Sequence, residues 1–156
     1  MKLNGVALES PPDSVLVIPR GDSELVITIR PVMDFSDFDS LCPQPLPPVK
    51  NLPGGERQLN VEDESYKSKV VLYGRQRMAW MVLKSLEPSN IEWDTIKKED
   101  PTTWVNYTDE LRKVFTPAEY NALIDKIMTA CGLNQSMIEE ATKRFLASRQ
   151  VQQQKQ

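Results

Sequence analysis

The sequence predicts a mostly helical α+β fold: a bundle of about four helices that carries a small N-terminal β-hairpin. Three observations lead there. From Glu62 onward, apolar residues recur at helical spacing between recognisable caps. Between Val15 and Arg30, two runs rich in β-branched residues flank a turn cluster. Five of the twelve prolines fall between Pro43 and Pro53, which sets the two regions apart. The expected division is residues 1–33 as a hairpin region, 34–60 as a proline-rich arm, 61–149 as a helical domain and 150–156 as a disordered tail.

Val15–Ile18 is a short apolar run, and Leu25–Arg30 places Leu25, Ile27 and Ile29 on one face. Pro19–Ser23 between them supplies the turn. A lone hairpin is marginal in water and must lean on another element. Val6–Leu8 is a candidate third strand. In the arm, Pro43, Pro45, Pro47, Pro48 and Pro53 remove backbone donors and favour an extended spacer.

The first helix is predicted from about Glu62 to Leu86, stopped by Pro88. The second opens at Asp100-Pro101, an N-cap followed by proline, with Trp104, Tyr107 and Leu111 as its stripe. The third opens on the capping box Thr116-Pro117-Ala118-Glu119. Its stripe is Tyr120, Leu123, Ile124, Ile127, Met128 and Cys131, and Gly132 closes it. Asn134 caps the fourth, which carries Ile138, Ala141 and Phe145 on one face, and the polar end from Gln150 is expected to fray.

The composition narrows the function. There is no histidine, which removes Ser–His and Cys–His catalysis and the commonest metal ligand. A formal net charge of −3 argues against non-specific nucleic-acid binding. Two cysteines, Cys42 in the arm and Cys131, form neither a disulfide framework nor a zinc pattern and read as one linker thiol and one buried thiol. The N-terminus lacks the apolar run of a signal peptide, and no stretch approaches the ~20 apolar residues of a membrane span. The expectation is a soluble intracellular protein with no catalytic residues, cofactor or metal.

Individual motifs support little chemistry. Arg20-Gly21-Asp22 reads as a turn. Asp34, Asp37 and Asp39 read as a solvated acidic loop, since the calcium-loop spacing fails and no glycine follows. Pro45–Lys50 fits a PxxP pattern that proline-rich spacers produce by chance. Gly54-Gly55 lacks the context of a phosphate loop. Glu62–Glu64 and Glu139-Glu140 suit helix N-termini, and Trp80, Trp93 and Trp104 read as core.

The first helix is the exception. At about 100° per residue, Val71, Met78, Val82 and Leu86 form one stripe, expected to pack on the third and fourth helices. Tyr66, Tyr73 and Trp80 recur every seven residues and form a second, which Leu83 joins. A helix with two apolar faces is covered on both. Arg77 and Lys84 flank the ladder, and Lys67 to Lys84 holds five basic residues and no acid. Tyr66, Tyr73, Arg77, Trp80, Leu83 and Lys84 are therefore the candidate partner-binding residues, covered by the chain's own N-terminal part, by a second copy or by another, acidic protein.

Several landmarks of the helical half form a familiar series: Lys84-Ser85-Leu86, Glu92-Trp93, Asp100-Pro101 with Thr103-Trp104, Glu110-Leu111 and Phe115-Thr116 with Glu119. Gly132-Leu133-Asn134 follows, and Glu139, Ala141 and Arg144-Phe145-Leu146 close the series. Over roughly Leu52 to Ala147, the chain resembles the tail assembly chaperones of long-tailed bacteriophages. The resemblance implies a non-enzymatic protein of the host cytoplasm that binds a tape-measure protein, keeps its apolar segments soluble and recruits tail-tube subunits. It offers no catalytic residues. The N-terminal hairpin and the arm lie outside it, which leaves a structural tail or neck protein as the alternative.

Overall fold

The computed structural model describes residues 1–132 and 135–154. The architecture is α+β, with small antiparallel ribbons and five α-helices among the described residues. In chain order these are β1 (Lys2–Leu3), β2 (Val6–Ala7), β3 (Ser14–Arg20), β4 (Ser23–Ile29), α1 (Ser36–Leu41), β5 (Val49–Asn51), β6 (Arg57–Leu59), α2 (Glu64–Ser85), α3 (Tyr107–Val114), α4 (Pro117–Ala130) and α5 (Gln135–Gln154). Two 3-10 segments, Glu87–Ser89 and Pro101–Asn106, connect α2 to α3.

The expected hairpin is β3–β4. Arg20 pairs with Ser23, so Gly21-Asp22 is the turn, and Gly21 takes the left-handed φ of +58° that glycine tolerates. Ile18, Ile27 and Ile29 are buried while Val15, Val17 and Val26 face out. The hairpin is tied to the end of α2. Arg30 N donates to Ser85 O at 2.9 Å, Thr28 N to Ser89 Oγ at 2.8 Å, and Ser89 Oγ to Thr28 O at 2.8 Å. Its turn end is tied to the α3–α4 corner by Arg20, which donates to Val114 O and to Glu119 Oε2, both at 2.9 Å. The guanidinium also lies over the Phe115 ring. Arg20 of the Arg-Gly-Asp tripeptide is thus a structural clamp. Val6-Ala7 does not extend this sheet. It pairs with Lys2-Leu3 through a turn at Asn4-Gly5, where both residues have positive φ.

The acidic stretch after Met33 is not a solvated loop. Asp34 accepts from Ser36 N at 3.0 Å and from Ser36 Oγ at 2.6 Å, which starts α1. Phe35 and Phe38 are three residues apart, so they point to one side. Phe38 is fully buried. Its ring centroid lies 5.3 Å from that of Tyr73, 5.9 Å from Trp80 and 6.2 Å from Trp104. The segment read as an arm therefore inserts an anchor into the core before β5 and β6 form a ribbon of their own. Cys42, read as the linker thiol, is buried beside Gln76, and desolvation pushes its pKa up; Cys131 is half-buried near Ser85 Oγ. Both are free.

Asp63 caps α2 by accepting from Tyr66 N at 2.8 Å. The helix ends where Glu87–Ser89 tightens into the 3-10 turn and Asn90 takes φ +51°. Ala79 to Val82, Ser85 and Leu86 lie in the core, against the Pro101–Asn106 segment and α4. Trp104, Tyr107, Leu111, Leu123 and Ile127 complete it. The second predicted helix is thus part 3-10 and part α, and its stripe is buried as expected. Both halves of the Thr116–Glu119 capping box are present, and Gly132 closes α4 with φ +70°.

Two expectations of packing change. α2 contacts α4 and the stripe is buried at Val82 and Leu86, but Val71 is 55% exposed, because the first turns of the helix extend past the core. No side chain of α5 from Gln135 to Val151 is buried, so the face with Ile138 and Phe145 has no cover within the described chain. The Asn134 cap lies outside the described residues. The helix continues to Gln154, where fraying was expected.

Phe38→Ala should lower the free energy of unfolding by about 3–5 kcal/mol, since it empties a site enclosed by three aromatic rings. Arg20→Ala should cost about 1–2 kcal/mol, the half-exposed guanidinium losing two charge-assisted bonds. Urea denaturation followed by circular dichroism measures both. A loss under about 1 kcal/mol for Phe38→Ala would remove α1 from the core.

Candidate functional site

The predicted partner-binding residues fall into two groups. Tyr73 and Arg77 lie beneath α1: Tyr73 packs on Phe38, and the Arg77 guanidinium sits 4.1 Å from the Phe35 ring centroid and 3.8 Å from Asp39. Tyr66, further toward the start of α2, is half-buried. Trp80 is 8% exposed, its ring held by Phe35 at 5.2 Å and by Phe38. The middle of the aromatic ladder is therefore covered by the chain itself, and Trp80 belongs to the core. The edge of Trp80, with Leu83 and Lys84, forms one wall of an open cleft of about 870 Å3.

α1 supplies a second wall through Asp37, Ser40 and Leu41. The third comes from residues 90–99, with Ile91, Trp93 and Ile96 turned toward the cleft, and Trp104 lies at its base. Ile91 and Trp93 flank Glu92, so extended backbone puts both side chains on one side. Behind them lies a smaller apolar cavity of about 340 Å3 that shares Ile91 and Trp93 and reaches Leu25, Ile27 and Phe115. A cleft of this order, with apolar walls and charged side chains along its lining, suits a ligand or the side chains of a partner.

The 90–99 wall is fixed by polar contacts. Trp104 Nε1 donates to the carbonyls of Lys97 and Lys98, at 3.1 and 3.2 Å. Lys97 N donates to Thr103 Oγ1 at 2.9 Å. The Glu110 carboxylate accepts from Asp94 N at 2.9 Å, Thr95 N at 2.8 Å and the Thr95 hydroxyl. Burial opposes ionisation of Glu110, but the bonds from Thr95 and Asp94, with Lys113 nearby, outweigh it and hold the carboxyl below the usual range.

The mouth of the cleft is acidic. Asp37, Glu87, Glu92 and Glu99 face Lys84 and Lys98. Both lysines are close to Glu87, at 3.2 and 4.0 Å, which leaves three carboxylates without an ion pair among the described residues. Sequence reasoning placed Trp80, Leu83 and Lys84 at an interaction surface but missed Ile91, Trp93, Ile96 and the carboxylates. The signal was the short alternation Ile91-Glu92-Trp93.

Among the described residues, no cluster of His, Cys, Asp or Glu is placed to hold a metal ion. No helix among them is long and apolar enough to cross a membrane. No family model, curated protein or solved structure matches the chain.

The Glu110 clamp carries a pH dependence. A carboxyl whose folded pKa is depressed stabilises the fold above its ordinary value, here 4.5, and loses that contribution as pH falls through the folded value. The Thr95 amide proton resonance should hold steady through neutral pH and titrate with a midpoint below the ordinary 4.5. In Glu110→Gln the titration should vanish. A midpoint at or above the ordinary value would mean that the clamp does not form.

Proposed function

We propose that this chain is a non-enzymatic protein-binding adaptor in the assembly of long bacteriophage tails, a tail assembly chaperone acting in the host cytoplasm. The observation that carries the reading is α5. It runs for twenty residues, and Ile138, Phe145 and Leu146 are all more than half exposed. An amphipathic helix whose side chains from Gln135 to Val151 are all exposed is suited to another chain's groove or to an apolar segment of a client. The tape-measure protein is the proposed client and the tail-tube subunit the protein recruited. The resemblance of residues Leu52–Ala147 supports the same role. It includes the Glu139, Ala141, Phe145-Leu146 pattern that forms this helix.

A structural virion protein is the second reading. It is favoured by the ribbons β1–β2 and β5–β6, every residue of which is exposed. Their open edges suit strand pairing within a lasting assembly. Mass spectrometry of purified particles separates the two, because a chaperone is missing from the finished particle.

Ile138→Asp with Phe145→Asp should leave the melting temperature of the isolated protein within about 2 °C of wild type, since neither side chain touches the core. Co-expression should then show the tape-measure client soluble with wild type and aggregated with the double variant. Equal client solubility with either protein would sink the chaperone reading. A large fall in melting temperature would show that α5 serves its own fold.

A further inference from the structure

Two surfaces of this molecule are complementary, and neither is covered. One is the first half of α2. Val70, Val71 and Leu72 are exposed there although they lie in mid-helix, away from any frayed end. Lys67, Val71 and Arg75 follow one another at four-residue steps and so share a face; Leu72 lies beside that face next to Arg75, and Lys69, three residues before Leu72, borders it on the far side. Two of the three acids of this end are engaged, and the third, Glu64, has no ion pair among the described residues. Asp63 caps the helix, and Glu62 pairs with Lys67 at 2.6 Å, with Lys50 of β5 near enough to favour its ionised form further. Lys69 and Arg75 have no ion pair among the described residues. The surface is thus an apolar strip with a cationic border.

The other surface is the tryptophan-lined cleft, apolar at its base, with Asp37, Glu92 and Glu99 unpaired at its mouth. Its wall is pinned by Glu110 and Trp104, so it needs little ordering on binding. Trp93, half-buried on that wall between carboxylates, presents an aromatic surface suited to a guanidinium. About 18 Å of helix, at 1.5 Å per residue, separates Val71 from Leu83. The strip and the cleft of one molecule therefore cannot meet each other.

We propose that the chain self-associates through these unlike surfaces: the α2 strip centred on Val71 and Leu72 of one copy seats in the cleft of another. Arg75 faces Trp93 and the carboxylates, and the aliphatic side chains cover the cleft floor. A contact between unlike patches either closes reciprocally across a two-fold axis or continues from copy to copy. It fits charge to charge and apolar to apolar, and it covers the overhanging turns of α2 that the fold leaves bare. It does not depend on the identity of any client, and it leaves α5 free.

Sedimentation velocity tests it on the full chain. Wild type should sediment as a dimer or larger species at low salt and shift toward monomer as salt screens the rim. A strip variant, Lys69→Glu with Arg75→Glu, and a cleft variant, Glu92→Lys with Glu99→Lys, should each weaken association by roughly tenfold or more. All four positions are exposed, and circular dichroism checks that each variant is folded. Mixing the two variants should give a heterodimer, because the strip of one and the cleft of the other are both intact. A wild type that stays monomeric at every concentration overturns the proposal. So does association that survives in both variants, or a mixture no larger than its components; binding of a foreign cationic peptide to a monomeric protein would assign the cleft to another partner.

Discussion

The fold depends on one ring. Phe38 touches α2 through Tyr73 and Trp80 and touches the 3-10 segment through Trp104, so a six-residue helix seals the seam between two elements that also pack on each other. Its burial also decides what the aromatic ladder of α2 is. With Phe35 over Trp80 and Arg77 over both phenylalanines, the ladder's middle becomes an internal seam. Only its ends remain available: Tyr66 at the start of α2, and Leu83 with Lys84 at the cleft.

The helical half was legible because its signals are local. A threonine, a proline and a glutamate at fixed offsets satisfy backbone donors whatever surrounds them, so the start of α4 could be read directly. The β3–β4 hairpin was legible for the same reason, with its alternation and its glycine turn. α1 was not legible. Six residues hold too few turns to show a period, and three aspartates disguised it as solvated chain. Phe35 and Phe38 at helical spacing were the remaining sign. The reach of α2 beyond the core, and the bareness of α5, could not be read at all. Amphipathic spacing says that a face is apolar and leaves open which element covers it, or whether any does.

The cleft was half legible for a related reason. Trp80, Leu83 and Lys84 were marked because they lie on a long periodic helix. The opposing wall is irregular backbone, and what shapes it is the pairing of Glu110 with amides fifteen and sixteen residues earlier in the chain. Hydrogen bonds of that range leave no pattern in sequence. The result combines a fixed cleft, a bare terminal helix and a cationic strip on one small body. The cleft and the strip are positioned by the core, while no side chain of α5 from Gln135 to Val151 is buried in it.

The Arg20–Glu119 clamp has a consequence for how the protein is made. Its partners are 99 residues apart, and the hairpin whose first strand Arg20 ends packs on α4, where Leu123 and Ile127 are buried in the shared core. A ribosome therefore releases the β-ribbon long before α4 exists to complete the shelter of its isoleucines. The nascent chain must carry part of that oily surface until about four-fifths of the polypeptide has emerged, and only then close it. Long-range closure of this kind slows folding and lengthens exposure to aggregation. A protein whose proposed work is to shield another's apolar segments thus passes through the same vulnerability in its own synthesis.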